Sequence, residues 1–251
     1  MNTQQQKKYK VLLIGDSCID EYVYGTCERL NPEAPVPILK FDRKEIRMGM
    51  VWNVRNNLMA FGVDVYMITN KEKIIKTRFV DEKYNHQILR VDAEGLVEPI
   101  NEDFPNQNFD AIVISDYNKG FIPKNKLFEI TYNSHIPVFI DSKKTELPEF
   151  GCFIKINENE SKLLREVYDN LIITKGSNGA EYEGINYPGE KVDVFDVVGA
   201  GDTFLASLVY FYLRFGSIEK SIPKANKAAS IAVQNFGTYV LTEEDINEIC
   251  N

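Results

Sequence analysis

The stretch Asp196-Val-Val-Gly-Ala-Gly-Asp202 stands directly before a long apolar run and is the most informative part of the sequence. Gly199 and Gly201 allow backbone conformations that other residues avoid, and they let a ligand approach the main chain. At the start of a helix, free N–H groups and the helix dipole together favour an anion. The pattern therefore predicts a glycine turn that binds a phosphate group, with Asp202 beside it.

A carboxylate beside an anion site suits phosphoryl transfer. Backbone amides would stabilise charge on the transferring group, and Asp202 would orient an acceptor hydroxyl and take its proton. The helix N-terminus is expected to lower the pKa of Asp202 and make it a weak base. A plainer alternative is a strand-to-helix turn in which the aspartate only caps the helix, because short glycine patterns recur freely.

Apolar runs typical of strands buried on both faces alternate with helical stretches through most of the chain. The predicted strands are Lys10–Gly15, Val63–Thr69, Ala111–Ser115, Pro137–Asp141, Cys152–Ile156 and Leu171–Thr174. The predicted helices are Val51–Phe61, Pro123–Asn133, Glu158–Tyr168, Ala200–Phe215, Ile218–Phe236 and one capped by Thr242 with Asp245 at its third position. This alternation predicts an α/β fold with a mainly parallel sheet, in a single domain over residues 1–251.

Two segments depart from the alternation. Glu21–Phe41, which contains an Asn-Pro-Glu-Ala-Pro-Val-Pro stretch, and Lys76–Asp92 are both typical of exposed β-hairpins. They predict a small β excursion from the α/β body.

Composition excludes several classes of protein. The chain has 251 residues, 44% of them hydrophobic, and a net charge of −8. An acidic chain argues against a general nucleic-acid binder, although local cations and amides are enough for phosphorylated small molecules. The longest charge-free apolar run, Thr203–Leu213, is too short to span a membrane, and the start does not resemble a signal peptide. The four cysteines and two histidines form no metal-binding motif. Four cysteines scattered along a chain of this length are typical of reduced thiols in the cytoplasm.

A series of short motifs resembles, in order, those of the PfkB (ribokinase-like) carbohydrate kinases over nearly the whole chain. They are Gly15–Asp20, Arg29–Pro37, Gly49–Asn53, Ser115–Gly120, Asp141–Lys143, Asn157–Glu160, Thr174–Gly176 and Asp196–Asp202. Within that family, Arg29–Pro37 resembles the lid segment of the D-glycero-β-D-manno-heptose-7-phosphate kinases of ADP-heptose synthesis. The resemblance implies a three-layer sandwich with a small β-sheet lid. It also implies ATP-dependent phosphorylation of a sugar or sugar phosphate, foremost a heptose 7-phosphate.

The resemblance also implies roles for residues on the acceptor side. The catalytic group would be Asp202, with Gly199, Ala200 and Gly201 as the anion site, and the acceptor would be bound by Asp16, Asp20, Gly49, Asn53 and Arg90. Asp20 matches the family acid that hydrogen-bonds sugar hydroxyls, and Asn53 matches the sugar-contacting asparagine. Arg78 and Arg90 lie on the second lid-like segment, where a basic group could bind an existing phosphate. Turn capping remains an alternative for Asp16 and Asp20, and plain surface exposure for the arginines.

Nucleotide and metal residues follow from the same resemblance. The nucleotide pocket would include Lys143, Thr174, Lys175, Gly176 and Asn226. Asn157 and Glu160 match a motif that holds Mg²⁺ through water near the ATP phosphates, but a helix N-cap fits the same spacing. Asp196 and the carbonyl of Val198 fall where many members bind a monovalent cation, usually K⁺. Lys143 would bind phosphate or be an ordinary surface lysine.

The sequence departs from the family in two places. Met50 replaces the second glycine of the sugar motif, so its side chain would reshape or fill part of the sugar pocket. After Ile68–Lys71 the chain reaches the second lid segment almost at once, where the family inserts further helix and strand; one side of the sheet should be trimmed, and contacts in a lid-to-lid homodimer could change. These departures keep open a catalytically weak nucleotide- or sugar-binding regulatory protein of the same fold, or a kinase for another sugar or a nucleoside. A dinucleotide oxidoreductase is disfavoured because Gly15 opens no Gly-x-Gly-x-x-Gly motif.

Overall fold

A computed structural model describes residues 7–101, 104, 107–166 and 168–251. The first six residues of the polar start and Val167 of the third predicted helix lie outside this part. In chain order the elements are β1 (Lys10–Gly15), β2 (Ser17–Leu30), β3 (Pro37–Met50), α1 (Val51–Ala60), β4 (Asp64–Thr69), β5 (Ile75–Asp81), β6 (His86–Ala93), β7 (Ala111–Asp116), α2 (Lys124–Tyr132), β8 (Val138–Ser142), β9 (Phe153–Asn157), α3 (Glu158–Ser161), β10 (Leu171–Thr174), β11 (Ala180–Tyr182), β12 (Ile185–Tyr187), α4 (Ala200–Phe215), α5 (Ile218–Ala232) and α6 (Glu243–Cys250). A short 3₁₀ turn, Gly176–Asn178, lies between β10 and β11.

Within the described residues, one sheet contains eight strands in the order β12-β11-β10-β9-β8-β7-β1-β4. The pairings from β10 to β4 are parallel, whereas β11 and β12 are added antiparallel. Each apolar run predicted as a strand lies in the parallel part. Because parallel strands end at the same edge of a sheet, the segments that follow β1, β7, β8 and β9 meet there.

Helices cover both faces of this sheet. Val11 and Leu13 of β1 pack in a core cluster with residues of α1, α4 and α5. Leu12 and Ile14 pack in a second cluster with Leu127 of α2. Successive strand residues point to opposite faces, so both faces are buried and the strands are apolar throughout. The predicted three-layer α/β sandwich is confirmed. In the described part of the chain, no helix is long and apolar enough to cross a membrane.

The other four described strands form a second sheet, in the order β3-β2-β5-β6, which we call the lid. Its hairpins, β2–β3 and β5–β6, contain the two predicted β segments. Both strands of the first hairpin extend further than predicted. A single residue, Asp16, separates β1 from β2, and β3 ends at Met50, directly before α1. The predicted acceptor residues on β2 and β3 therefore lie where the lid joins the body.

The link between β4 and β5 is short, as the sequence predicts after Ile68–Lys71. β4 is the edge strand of the large sheet, and residues 70–74 lead directly from it into the lid. The buried side chain of Asn70 accepts from the N–H of Ser17 at 2.6 Å and donates to the carbonyl of Glu72 at 2.7 Å. Asn70 thus ties the link to the first residue of β2.

The third predicted helix is much shorter than expected. It was predicted over Glu158–Tyr168, but α3 ends at Ser161. The N–H of Arg165 instead donates to the carbonyl of Thr145, so the chain leaves the helical path. A tertiary hydrogen bond here outweighs the local helical pattern.

The predicted helix Ile218–Phe236 ends early, at Ala232. The carbonyl of the next residue, Val233, accepts from the N–H groups of Phe195 and Asp196, which belong to the loop before α4. The hairpin β11–β12 was not predicted, although its two-residue turn, Glu183-Gly184, has the positive φ angles and the glycine that such turns favour.

Candidate active site

The glycine turn begins helix α4, as predicted. Gly199 caps the helix in the left-handed conformation, with φ 79°, which glycine adopts without steric cost. Gly199, Gly201 and Asp202 line a small cavity, and Asp202 is only 4% exposed. Because the first N–H groups of a helix have no intrahelical partner, the turn offers amides to a ligand in this cavity.

Two side chains from distant elements hold the carboxylate of Asp202. Asn53, in the first turn of α1, donates from Nδ2 to Oδ2 at 3.0 Å. The phenol of Tyr117, directly after β7, lies 2.9 Å from Oδ1 and 3.2 Å from Oδ2. Asn53 was predicted to contact the sugar, whereas its amide N–H is directed to Asp202. The carboxylate is therefore oriented before any ligand binds.

The pKa expected for Asp202 was wrong in direction. Burial raises the pKa of this carboxyl group to about 6, against the lowering effects of Asn53, Lys155 and Tyr117. Burial also raises the pKa of Tyr117 well above its ordinary value, so the phenol stays protonated and can donate. Asp202 is ionised at neutral pH but is a stronger base than an exposed aspartate.

A cavity of about 430 Å³ lies on one side of the glycine turn. Its apolar walls come from Val192, Val194, Val197, Phe204, Ala229 and Val233. Of the residues predicted to bind the nucleotide, Thr174, Gly176 and Asn226 line it, while Lys175 is paired with Glu181 at 2.5 Å. Asn226 donates to the carbonyl of Tyr187 at 2.9 Å and so holds one wall in place. An apolar slot with a few fixed polar groups fits a flat heterocycle.

The smaller cavity, of about 140 Å³, is strongly polar. Its lining consists of Asp116, Tyr117, Asp141, Lys143, Lys155, Asn157, Glu160, Gly199, Gly201 and Asp202. Lys155, Asn157 and Gly201 line both cavities, so the two compartments meet at the start of α4. A ligand in the larger cavity can therefore extend toward Asp202.

Asn157 and Glu160 form a capping box at the start of α3. The side chain of Asn157 accepts from the N–H of Glu160 at 2.9 Å, and Glu160 accepts from the N–H of Asn157 at 3.0 Å. The other oxygen of Glu160 accepts from Lys143 at 2.8 Å. Burial alone would raise the pKa of Glu160, but Lys143 and the backbone N–H outweigh it and lower the pKa. The helix N-cap, which the sequence offered as the alternative to a Mg²⁺ site, is thus present in the structure. The carboxylate of Glu160 also lines the small cavity.

The small cavity also fits a hydrated Mg²⁺ ion. It has four carboxylates, from Asp116, Asp141, Glu160 and Asp202. Among the described residues, no three His, Cys, Asp or Glu side chains converge closely enough to hold a metal directly. Mg²⁺ usually keeps several water ligands, so carboxylates that contact the ion through water suit it.

Asp196 braces the loop before α4. One oxygen accepts from the N–H of Val198 at 3.0 Å and the other accepts from the N–H of Gly237 at 2.9 Å. The predicted K⁺ ligands, Asp196 and Val198, are therefore neighbours in a fixed loop, and cation binding there stays a prediction.

Asp20 is a second buried carboxylate, on strand β2 of the lid. Arg78 of β5 donates to one of its oxygens, and Cys18 Sγ lies 3.6 Å from the other. A Cβ added to Gly49 would lie 2.0 Å from Asp20 Oδ2, so this carboxylate is packed against bare backbone. Only glycine at position 49 leaves room for Asp20 as it stands.

None of the five residues predicted to bind the acceptor lines a described cavity, and two of them have other partners. Asp16 is fully buried and accepts from the N–H of Tyr117 at 2.7 Å, so it braces the segment that carries the phenol. Burial and the neighbouring Asp116 raise the pKa of Asp16 to about 6. Arg90 lies exposed on β6 and pairs with Asp92 at 2.8 Å. Direct contact of Asp16 or Arg90 with an acceptor stays a prediction.

Sequence reasoning did not assign Tyr117 or Lys155 to Asp202. Tyr117 lies within the quoted motif Ser115–Gly120, but its reach to Asp202 is a tertiary property. Lys155 interrupts the apolar strand Cys152–Ile156, and a charge inside a buried strand indicates a partner or a function. That signal was available in the sequence.

The overall fold is shared with solved sugar kinases. A Thermotoga maritima ribokinase matches with a TM-score of 0.70 and 14% identity, over 96% of this chain and 99% of that one. Phosphofructokinase-2 from Escherichia coli, in complex with potassium, matches with a TM-score of 0.70 and 17% identity, over 96% and 97%. Arabidopsis thaliana ribokinase, complexed with ribose and ATP, matches with a TM-score of 0.70 and 15% identity, over 97% and 99%. The chain therefore has a ribokinase-like fold.

Sequence comparison places part of the chain in a family. Residues 144–245 match the pfkB family carbohydrate kinases. The chain is 30% identical to the bifunctional protein HldE of a Nitratiruptor species, over 96% of the chain and 65% of that protein. The chain is also 30% identical to the bifunctional protein HldE of Helicobacter acinonychis, over 96% of the chain and 66% of that protein. Residues 144–245 thus resemble this family, and the chain spans about 65% of the length of these relatives. The first alignment has 299 positions, so it includes positions that this 251-residue chain lacks.

Proposed function

We propose that this protein is an ATP-dependent carbohydrate kinase that phosphorylates an alcohol group of a sugar or sugar phosphate. The observation that carries the proposal is the setting of Asp202. It is buried, held by Asn53 and Tyr117, and next to a glycine turn at a helix start. A carboxylate with a pKa of about 6 is ionised at neutral pH and basic enough to accept a hydroxyl proton.

The larger cavity is the proposed nucleotide site. Its apolar walls suit the adenine ring, and it leads past Gly201 to the small polar cavity, where the phosphates would meet the helix start. Mg²⁺ held through water by Asn157 and Glu160 would neutralise charge on the phosphates. K⁺ beside Asp196 and Val198 would support the loop, and the potassium complex of the E. coli phosphofructokinase-2 favours this assignment.

The small cavity is the proposed site of phosphoryl transfer. The acceptor hydroxyl oxygen forms a bond to the γ-phosphorus of ATP while the bond from that phosphorus to the leaving ADP oxygen breaks. The hydroxyl proton passes to Asp202. Amides of the glycine turn stabilise the charge that develops on the transferring group. Asn53 and Tyr117 keep the carboxylate aimed at the acceptor.

Among acceptors we favour a heptose 7-phosphate. The lid segment Arg29–Pro37 resembles that of heptose-phosphate kinases, and relatives at 30% identity are bifunctional HldE proteins. Asp20, fixed between Arg78 and Gly49, would accept from sugar hydroxyls, and Arg90 would bind the existing phosphate. A different sugar or a nucleoside is the alternative acceptor.

We also propose a homodimer that pairs through the lid, in the cytoplasm. Ile46 and Met48 on β3, and Leu89 and Val91 on β6, expose large apolar side chains on the lid strands. A second copy of the chain would bury them, and E. coli phosphofructokinase-2 forms a tetramer in its inhibited form. The cytoplasmic location rests on the cysteines, which form no disulfide among the described residues.

An ADP-release screen over sugars and sugar phosphates, with heptose 7-phosphate included, tests the kinase proposal. We expect turnover with at least one acceptor, and no turnover by Asp202→Asn, which should still bind ATP. Unchanged turnover by Asp202→Asn would remove Asp202 as the base.

A second candidate is a regulatory protein that binds nucleotide or sugar without turnover. Met50 favours it, because this residue replaces a family glycine and is held at φ 59°, a strained angle for methionine. Nucleotide binding by calorimetry without ADP release for any acceptor in the panel would support this candidate over the kinase.

A further inference from the structure

Lys155 is a buried lysine in the middle of strand β9. It lies between the core residues Ile154 and Ile156, and only 5% of its surface is exposed. Moving an ammonium group out of water is strongly unfavourable unless the charge finds partners. A lysine in this strand therefore needs a reason beyond the packing of the sheet.

Asp141, near the end of β8, supplies one partner. Lys155 Nζ lies 2.6 Å from Asp141 Oδ2. Burial by itself lowers the pKa of Lys155, but the charge and hydrogen bond of Asp141 outweigh it, and the pKa is raised. Lys155 is thus a permanent cation at neutral pH. An ammonium group has three N–H donors, so the bond to Asp141 leaves donors for a ligand.

The ammonium group of Lys155 lies against the glycine turn. Its Nζ is 2.9 Å from the position that a Cβ on Gly201 would take, so a side chain at position 201 would collide with it. Lys155 lines both the nucleotide cavity and the small polar cavity. The charge of Asp202 also contributes to its raised pKa, which indicates that the base and the ammonium interact. A fixed positive charge therefore stands at the boundary between the two compartments.

We propose that Lys155 is a catalytic residue that binds the γ-phosphoryl group of ATP and stays bound to this group while it passes from the nucleotide to the acceptor. This inference rests on the proposed kinase function. As the acceptor oxygen bonds to the γ-phosphorus and the bond to the ADP oxygen breaks, the ammonium group stays bound to an oxygen of the transferring group. The acceptor proton goes to Asp202, and Lys155 neither gains nor loses a proton.

The position of Lys155 explains how the site brings two negatively charged groups close together. Asp202 must be close to the acceptor hydroxyl, yet its negative charge repels the phosphates of ATP. Lys155 and the turn amides place positive charge on the phosphate side of the carboxylate, in a buried setting where water screens little. The charge-assisted bond to a phosphate oxygen is stronger than a neutral one.

A structural role is the competing explanation, because the pair Lys155–Asp141 also ties β9 to β8. The two roles differ in what they do to nucleotides. A tie between strands would affect stability and all ligands alike, whereas a γ-phosphate contact would affect triphosphates selectively.

Calorimetric titration of the full chain with ADP and with adenylyl imidodiphosphate, both with Mg²⁺, separates these roles. For Lys155→Met we expect ADP affinity within about twofold of wild type and triphosphate affinity about tenfold weaker, a loss of about 1.4 kcal/mol. Lys155→Arg keeps the charge and should recover part of the triphosphate preference. A triphosphate-to-ADP affinity ratio in Lys155→Met equal to that of wild type would overturn the proposal.

Lys144→Met is the matched control. Lys144 is also largely buried and pairs with a buried carboxylate, that of Asp116, at 2.6 Å, but it lines neither cavity. It should lose stability in thermal unfolding without changing the nucleotide ratio; an equal change in both variants would overturn the proposal in favour of the strand-tie role.

Failure of the inference is distinguishable from failure of the kinase function. Selective triphosphate loss in Lys155→Met, with no acceptor phosphorylated by wild type, supports the inference and contradicts the kinase. If wild type phosphorylates an acceptor and Lys155→Met keeps the wild-type triphosphate-to-ADP affinity ratio, the kinase function is supported and the inference is contradicted. If wild type binds neither nucleotide, both are overturned.

Discussion

The phenol of Tyr117 is bonded to the carboxylate of Asp202, 2.9 Å from one oxygen and 3.2 Å from the other. The two residues are far apart in sequence, and the contact joins the end of β7 to the start of α4. The backbone N–H of Tyr117 is itself held by Asp16 at 2.7 Å. A buried aspartate thus fixes the tyrosine that fixes the proposed base.

Replacing Tyr117 with phenylalanine removes this hydrogen bond and keeps the ring. A bond to a charged group contributes about 1.5–3 kcal/mol, so we expect kcat to fall by about 10- to 100-fold. Because the phenol lowers the pKa of Asp202, its loss should also move the acidic limb of the kcat/KM profile to higher pH. A profile that does not move would contradict the role given to the phenol.

The pH dependence of turnover should report Asp202. With a pKa of about 6, the carboxylate loses its ability to accept a proton as the pH falls through that value, and kcat/KM should drop about tenfold per unit below it. Asp16 also has a pKa of about 6, so Asp16→Asn is the control. The acidic limb should persist in Asp16→Asn; its disappearance would assign the limb to Asp16.

Stability should respond to Asp16 in the opposite sense from an ordinary salt-bridged aspartate. Its pKa is 3.8 unfolded and about 6 folded, so the folded state binds more protons between these values. The stability contributed by this group is therefore present at low pH and falls as the pH rises from about 4 to about 6. Asp16→Asn should raise the free energy of unfolding at pH 8 by about 1–3 kcal/mol. Chemical denaturation at pH 8 and near pH 4 tests this, and an equal gain at both pH values would refute it.

Gly49→Ala should disable acceptor binding and spare the nucleotide. The new Cβ would lie 2.0 Å from Asp20 Oδ2 and must displace that carboxylate. We expect the KM for the acceptor to rise by about tenfold or more, which corresponds to the loss of a charge-assisted contact, with little change in ATP affinity. Gly95→Ala is a matched control, because a Cβ there meets nothing within 4 Å. Equal kinetics in the two variants would exclude Asp20 from the acceptor site.

Ile46→Glu tests the proposed homodimer. A charge on this exposed apolar position of β3 should prevent the lids from pairing, and light scattering should then give the mass of one chain. Leu96→Glu, at an exposed position after β6, should remain dimeric. If light scattering gives the mass of one chain for the wild-type protein as well, the proposed homodimer is wrong.

The sequence was sufficient where the determining interactions are local. Strand β1 and helix α4 have the predicted bounds, since a continuous apolar run fits a strand buried on both faces and a glycine can both begin and end a helix. Helix α3 was predicted too long, because its end is set by the bond from Arg165 to the distant Thr145.

The candidate site was only partly predictable for the same reason. The glycine turn and Asp202 form one local motif and could be read directly. The pKa of Asp202 was expected to be lowered by the helix N-terminus, yet burial raises it, and burial depends on α1 and β7 packing over the turn. Lys155 gave a signal as a charge in an apolar strand, but its proximity to Gly201 depends on how β9 and α4 pack.

The junction at Met50 has a mechanical consequence. Strand β3 ends at this residue and α1 begins at the next, so no loop separates the lid from the helix that carries Asn53. At this connection, a tilt of the lid requires rotation about the bonds of Met50, whose φ and ψ are 59° and −123°. A methionine has fewer alternative backbone states than the glycine of the family, so this joint is stiff. A stiff joint transmits a tilt of the lid to the first turn of α1 and so to the side-chain amide of Asn53, which faces Asp202. Binding of an acceptor on the lid and alignment of the proposed base Asp202 then become a single movement.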